Sequence, residues 1–171
     1  DFVDRVHALG MKFMIWFSVP FVGFKSENFE RFKGKYLYTN NRLNACVLDP
    51  RFKDVRDFLV ETYVSYVKEY AWDGLKLDFI DSFRLTEESS TGYDAMDYLS
   101  VEEAVQALLR EVYEALIKIN PEILIEYRQS YIGPAVGQYG NMFRVTDCPG
   151  DPLLNKTHSL DLRMSSGKRA I

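Results

Sequence analysis

Two charged side chains, Lys76 and Asp78, stand two residues apart in the segment DGLKLDFID (73–81). Side chains alternate along an extended strand, so this pair shares one face while Leu75, Leu77 and Phe79 share the other. Charge on the inward face of a buried strand is costly unless it is paired or put to use. A lysine beside the carboxyl keeps Asp78 ionised, the state a carboxylate nucleophile needs. The alternative is a Lys–Asp pair that merely fixes packing. A second carboxylate, Asp147, ends the segment MFRVTD (142–147). Two carboxyl groups about 5–5.5 Å apart can carry out double displacement at a sugar's anomeric carbon, one attacking and the other protonating the leaving oxygen. Read otherwise, Asp147 is a turn or cap residue before Cys148-Pro149-Gly150. Asp151 competes with it for the second role. Asp81 competes with Asp78 for the first, but lies past the strand end on the opposite alternation.

Several elements must place these groups. Phe2, Val3, Val6 and Leu9 recur at helical spacing, and Gly10 follows as a C-cap. MKFMIWFSV (11–19) is a short apolar run rich in β-formers, read as a buried strand that ends at Pro20. Residues 20–41 are polar, aromatic and aperiodic and read as a long loop, and LNACVLD (43–49) reads as a strand. Asp49-Pro50 starts a helix whose buried face runs from Val55 to Tyr70. After a polar loop over residues 82–99, Ser100 and Glu103 form a capping box for a second amphipathic helix, which Asn120-Pro121 ends. EILIEYR (122–128) and MFRVTD are further strands, and SLDLRMSSG closes a last helix before another strand begins.

Strands alternating with helices imply βαβ units and a parallel sheet, an α/β fold. No Gly-x-Gly-x-x-Gly turn follows the first strand, which weighs against a dinucleotide-binding fold. Lys76 and Asp78, Glu126 and Arg128, and Asp147 all fall at or near C-terminal strand ends. In a (β/α)₈ TIM barrel those ends form one face and surround one site. A full barrel takes about 250 residues, so the expectation is a partial one, about half of it, with residues 1–171 a single fragment. Both ends read as cut: the chain opens inside a helix and closes entering a strand. The isolated fragment is therefore expected not to turn over substrate.

The chain is 47% hydrophobic and 27% charged, with a net charge of −4 and no basic run, which argues against a nucleic-acid partner. No stretch reaches the roughly 20 apolar residues of a membrane span. Cys46 and Cys148 lie far apart and fit no metal spacing, and His7 and His158 join no carboxylate cluster, so neither a cofactor nor a metal is expected. Aromatic residues make up 15% of the chain, enough for sugar stacking as well as packing. Arg128 reads equally as a ligand for a sugar hydroxyl or as the ion-pair partner of Glu126, two residues away. Arg144 alternates away from Asp147 and reads as packing or as an ionic residue at the barrel bottom; Tyr127 and Tyr131 read first as packing residues and second as rings that stack on substrate.

VHALGMKFMIWF, VLDPRFKDVRDFLVETYVSYVKEYAWDGLKLDF and FRVTDCPGD, in that order, resemble the catalytic barrel of glycoside hydrolase family 36, the melibiase-type α-galactosidases. The resemblance implies a retaining hydrolase that removes terminal α-galactosyl residues from an oligosaccharide or glycoconjugate. It implies Asp78 as nucleophile, Asp147 as acid/base, and Lys76, Arg42 and Trp16 as substrate-binding residues. Related activities on this scaffold are an α-N-acetylgalactosaminidase and a galactosyl transferase; a carbohydrate-binding barrel without chemistry is the alternative from another class. Oligomerisation of the full-length parent is left open. The chain departs from the family at Phe17-Ser18-Val19-Pro20, where Glu-Pro usually follows the Trp. It departs again at Glu126-Tyr127-Arg128-Gln129-Ser130, where a Cys and a Gly-rich turn are usual.

Overall fold

The computed structural model describes every residue except Tyr93, Ser130, Thr146, Cys148 and Pro149. Its centre is a four-stranded parallel sheet of β1 (Met14–Ser18), β5 (Gly74–Asp78), β6 (Leu124–Arg128) and β7 (Met142–Arg144), in the order β1-β5-β6-β7. Phe143 also forms an isolated parallel bridge to Ala170. A second, three-stranded antiparallel sheet is ordered β2-β4-β3, with β2 Phe21–Gly23, β3 Tyr36–Asn40 and β4 Ala45–Leu48. The helices are α1 (Phe2–Ala8), α2 (Glu27–Arg31), α3 (Lys53–Tyr70), α4 (Val101–Ile119) and α5 (Pro152–Ser166).

The alternation read from sequence holds across the parallel sheet. Register pairs Trp16 with Lys76, Ser18 with Asp78, Lys76 with Glu126 and Arg128 with Arg144, so these polar residues share one face. The opposite face carries Leu75, Leu77, Ile125, Tyr127 and Phe143, all buried. The face of α4 made by Ala104, Leu108, Val112 and Leu116 and that of α3 made by Val55, Leu59, Tyr63 and Val67 are buried in the same core. Gly74 lets the sheet close tightly: a Cβ there would stand 2.6 Å from the Leu124 carbonyl oxygen and 2.8 Å from Met14 Cγ.

Four sequence expectations need correction. Residues 20–41 are not a loop but hold β2, α2 and β3, and LNACVLD supplies β4 to that small sheet rather than a strand to the parallel one. Its turn needs a left-handed residue, which Asn44 supplies at φ 50°. Helix α3 starts at Lys53, not at Asp49-Pro50, because Asp49 is engaged elsewhere. Its carboxylate accepts from the Arg51 amide (3.0 Å) and from Arg51 Nη2 (2.7 Å), both residues being almost fully buried. At α4 only half of the capping box forms: Ser100 Oγ accepts from the Glu103 amide, but the hydroxyl donates to Glu102. Strand β5 ends at Asp78, three residues earlier than expected, because Phe79 turns the chain into a left-handed conformation (φ 63°, ψ 26°) and a short 3₁₀ turn follows over Ile80–Ser82.

The long segment after β5 is tied down. Arg51 Nη2 donates to the Ser90 carbonyl, the Asp97 amide to the Arg51 carbonyl, and Arg56 Nη2 to the Asp97 carboxylate at 2.7 Å. Ser89 Oγ donates to the Leu37 carbonyl of β3. No described helix is long and apolar enough to cross a membrane.

Candidate functional site

Asp78 is the last residue of β5 and only 6% exposed. Four donors from three strands and a turn surround its carboxylate. The Phe79 amide and Arg128 Nε donate to Oδ1 at 2.7 and 2.5 Å. Trp16 Nε1 donates to Oδ2 at 2.9 Å, and Lys76 Nζ stands 3.5 Å from the same oxygen. Burial raises the carboxyl's pKa; donation by Trp16, Arg128 and the Phe79 amide, with the Arg128 charge, outweighs it and brings the value down to about 2. The group is an anion throughout the physiological range.

Strand order and register place each of these donors. Trp16 and Lys76 are register partners on β1 and β5, so the indole lies on the same face as the carboxylate, one strand over. Arg128 ends β6, and its guanidinium reaches back across the strand ends. It stacks 5.6 Å from the Phe79 ring centroid and 5.1 Å from that of Tyr131, while Nη2 stands 3.4 Å from Asp81. Arg128 does not pair with Glu126. That partner is Arg144, at 3.2 Å, which also stands 3.4 Å from Asp147; of the two roles expected for it the ionic one holds, but at the C-terminal end of β7 rather than at the barrel bottom. The contact with Asp147 forms because alternation stops where β7 ends, at Arg144.

Beside Trp16 lies an open pocket of about 400 Å³ lined by Trp16, Ser18, Phe21, Leu43, Ala45 and Phe79. Phe21 and Leu43 come from the antiparallel insertion, which sequence read mostly as loop. Phe79 meets Trp16 and Phe21 edge-on, at 6.1 and 5.4 Å between ring centroids. Its left-handed backbone puts a residue that alternation assigned to the core into this wall; no sequence signal marks that conformation in a phenylalanine.

The structure thus brings together Asp78, Trp16, Lys76 and Arg128. The Asp147 side chain is 98% exposed, and no hydrogen bond or ion pair among the described residues joins it to Asp78. Its neighbours Thr146, Cys148 and Pro149, part of the sequence pattern, lie outside the described residues. Arg42 is exposed in the β3–β4 turn, next to the pocket residue Leu43. Asp151 caps α5, accepting from the Leu153 and Leu154 amides, which accounts for that carboxylate structurally. Asp81 is solvent-accessible beside Arg128. Cys46 is buried in β4. Among the described residues no group of three or more His, Cys, Asp or Glu could hold a metal.

Neither a family model nor a curated protein sequence matches the chain. Solved structures do. A variant of the family 36 α-galactosidase AgaA from Geobacillus stearothermophilus, in complex with 1-deoxygalactonojirimycin, is 20% identical over 98% of this chain, with a TM-score of 0.69. Ega3 from Aspergillus fumigatus, in complex with galactosamine, is 14% identical over 96% of the chain, with a TM-score of 0.67. The glycoside hydrolase domain of PelA from Pseudomonas aeruginosa is 18% identical over 95%, with a TM-score of 0.66. The chain spans 24% of the length of AgaA, 61% of Ega3 and 67% of the PelA domain. At these identities the likeness is one of fold, and it sets a mixed α/β chain with a parallel sheet among glycoside hydrolase structures.

Proposed function

We propose that the chain is a portion of a (β/α)₈ barrel belonging to a retaining glycosidase of the family 36 type, acting on terminal α-galactosyl groups. The observation that carries this reading is Asp78: a buried, ionised carboxylate at the C-terminal end of a parallel strand, beside an aromatic-walled pocket. Barrel enzymes keep their reacting groups at that end.

In the first step a lone pair of Asp78 forms a bond to the anomeric carbon. The bond to the leaving oxygen breaks with its electron pair, and that oxygen takes a proton from Asp147. In the second step Asp147 removes a proton from water, which displaces Asp78 from the anomeric carbon. This role requires Asp147, here exposed and 3.4 Å from Arg144, to face Asp78 across the bound sugar. Trp16 offers a ring for the sugar face, Lys76 a cation for hydroxyls, and Arg42 a second one from the β3–β4 turn. The test is Asp78→Gly in the full-length protein, assayed on an aryl α-galactoside. A loss of at least about a thousandfold in kcat/KM, with partial rescue by azide, is expected on covalent catalysis. Undiminished activity refutes the assignment.

One observation favours a second reading. The guanidinium of Arg128 sits directly on Asp78 and draws charge from it, which weakens the carboxylate as a nucleophile and favours a barrel that binds sugar without chemistry. A covalent adduct on Asp78 from an activated fluorogalactosyl fluoride, located by peptide mass, excludes that reading. The galactosamine bound by the structurally similar Ega3 makes 2-amino sugars the alternative substrate class to include beside galactosides.

A further inference from the structure

Each oxygen of a carboxylate offers two in-plane positions for a donor. On Asp78 the two oxygens are occupied unequally. Oδ1 takes both the Phe79 amide (2.7 Å) and Arg128 Nε (2.5 Å), so both of its positions are filled. Oδ2 takes Trp16 Nε1 at 2.9 Å, while Lys76 stands off at 3.5 Å, longer than an ordinary N–H···O bond. Among the described residues Oδ2 thus has one hydrogen-bond donor where Oδ1 has two, and that donor, Trp16, is itself a residue of the pocket lining.

Arg128 is not free to leave its oxygen. Its guanidinium is flanked by the Phe79 and Tyr131 rings, at 5.6 and 5.1 Å. Nη1 donates to the Gln129 carbonyl and Nη2 to Asp81, both at 3.4 Å. Tyr131 is itself fixed, its hydroxyl donating to the Leu77 carbonyl at 2.7 Å. A planar group with two ring neighbours and acceptors on three nitrogens is a clamp rather than a mobile sugar ligand.

We propose that Arg128 is a positioning residue that holds Oδ1 of Asp78 out of reaction, leaving Oδ2 as the oxygen that attacks. The proposal rests on the reading of Asp78 as a nucleophile. The bond forms between Oδ2 and the anomeric carbon, and the leaving group departs with its electron pair. Arg128 stays on Oδ1, which becomes the carbonyl oxygen of the glycosyl ester. There the guanidinium continues to draw electron density, so the carboxylate leaves readily when water attacks in the second step. Arg128 serves both halves of the reaction without touching the sugar.

Two measurements on the full-length protein test this. Isotope-edited infrared titration of ¹³C-aspartate protein, with Asp78→Asn in the same background subtracted, follows the Asp78 carboxyl with no need for activity. Arg128→Gln should raise its titration midpoint by about one to two pH units, and Arg128→Lys, which keeps the charge but not the fork, by less. The Lys variant decides the matter if the Gln variant fails to fold. An unmoved midpoint overturns the clamp. The second measurement is a crystal structure after reaction with an activated fluorogalactosyl fluoride. The ester is expected through Oδ2, with Arg128 still on Oδ1. An ester through Oδ1, or Arg128 turned onto a sugar hydroxyl, overturns the proposal. A shifted midpoint with no adduct on Asp78 keeps the clamp, refutes the attack by Oδ2, and refutes the glycosidase reading with it.

Discussion

Replacing Trp16 by Phe removes one donor from Asp78 and leaves a ring of similar shape against Phe79. The bond lost is Nε1–H···Oδ2, 2.9 Å long, to an ionised group. Such bonds contribute about 1.5–3 kcal/mol. Trp16 is 51% exposed, so water can partly replace the donor and the lower figure applies. At about 1.4 kcal/mol per unit, the Asp78 pKa should rise by about one unit. The sign follows from linkage. The wild-type carboxyl titrates at about 2 when folded, against an ordinary 3.8, so its stabilisation is present above 3.8 and is lost as pH falls through 2. That stabilisation is worth about 2 kcal/mol, and the Phe variant should lack roughly 1.4 of it at about pH 6. At about pH 2.5 the wild type has itself lost most of the benefit, and the difference should fall to about half. Urea unfolding of both full-length proteins, followed by far-ultraviolet circular dichroism at the two pH values, measures the gap. A gap that does not change with pH would refute the reasoning, because it would mean the indole does not serve an ionised Asp78.

Other perturbations report on the scaffold. Gly74→Ala should lower stability by about 1–3 kcal/mol, read as a drop in unfolding midpoint, since the new methyl would stand 2.6 Å from a carbonyl oxygen of β6's first residue. Asp49→Ala leaves the fully buried Arg51 guanidinium without its carboxylate and should cost about 3–5 kcal/mol. The same variant should speed limited proteolysis between residues 84 and 99, the segment that Arg51 helps hold; unaltered cleavage there would separate the ion pair from the loop.

Local periodicity was readable where the element was regular. The two-residue alternation around Lys76 and Asp78 put the right side chains on one face, and the three- and four-residue spacing of α4 identified its buried side. What depends on register was not readable. Nothing between Glu126 and Arg128 in the sequence says that the arginine crosses to Asp78 while Glu126 turns to Arg144; that follows from β6 lying between β5 and β7. In the insertion β4 is legible as a strand within LNACVLD, while β2 and β3 are not, for a different reason. β2 is three residues long and β3 mixes aromatic and polar residues, and both form because β4 pairs with them on its two sides. Asp49-Pro50 has the residue types of a helix start, yet α3 begins at Lys53 because burial of Asp49 commits its carboxylate to Arg51. The resemblance to family 36 anticipated a mixed α/β chain with a parallel sheet, whereas the Arg128–Asp78 contact is visible only in the structure.

Phe79 joins two properties that a protein would ordinarily vary separately. Its amide orients the carboxylate of Asp78, and its ring walls the neighbouring pocket, both through one left-handed residue. A glycine would take that backbone angle more easily but would remove the wall; a β-branched residue could keep bulk there only with added strain. Adaptation to a larger or differently substituted ligand therefore has a restricted set of routes. Changes at Phe21 or Leu43, carried on the separate insertion, can reshape the pocket without disturbing the anion. Changes at Phe79 alter recognition and reactivity together, so drift in specificity should be concentrated on the insertion side of the pocket.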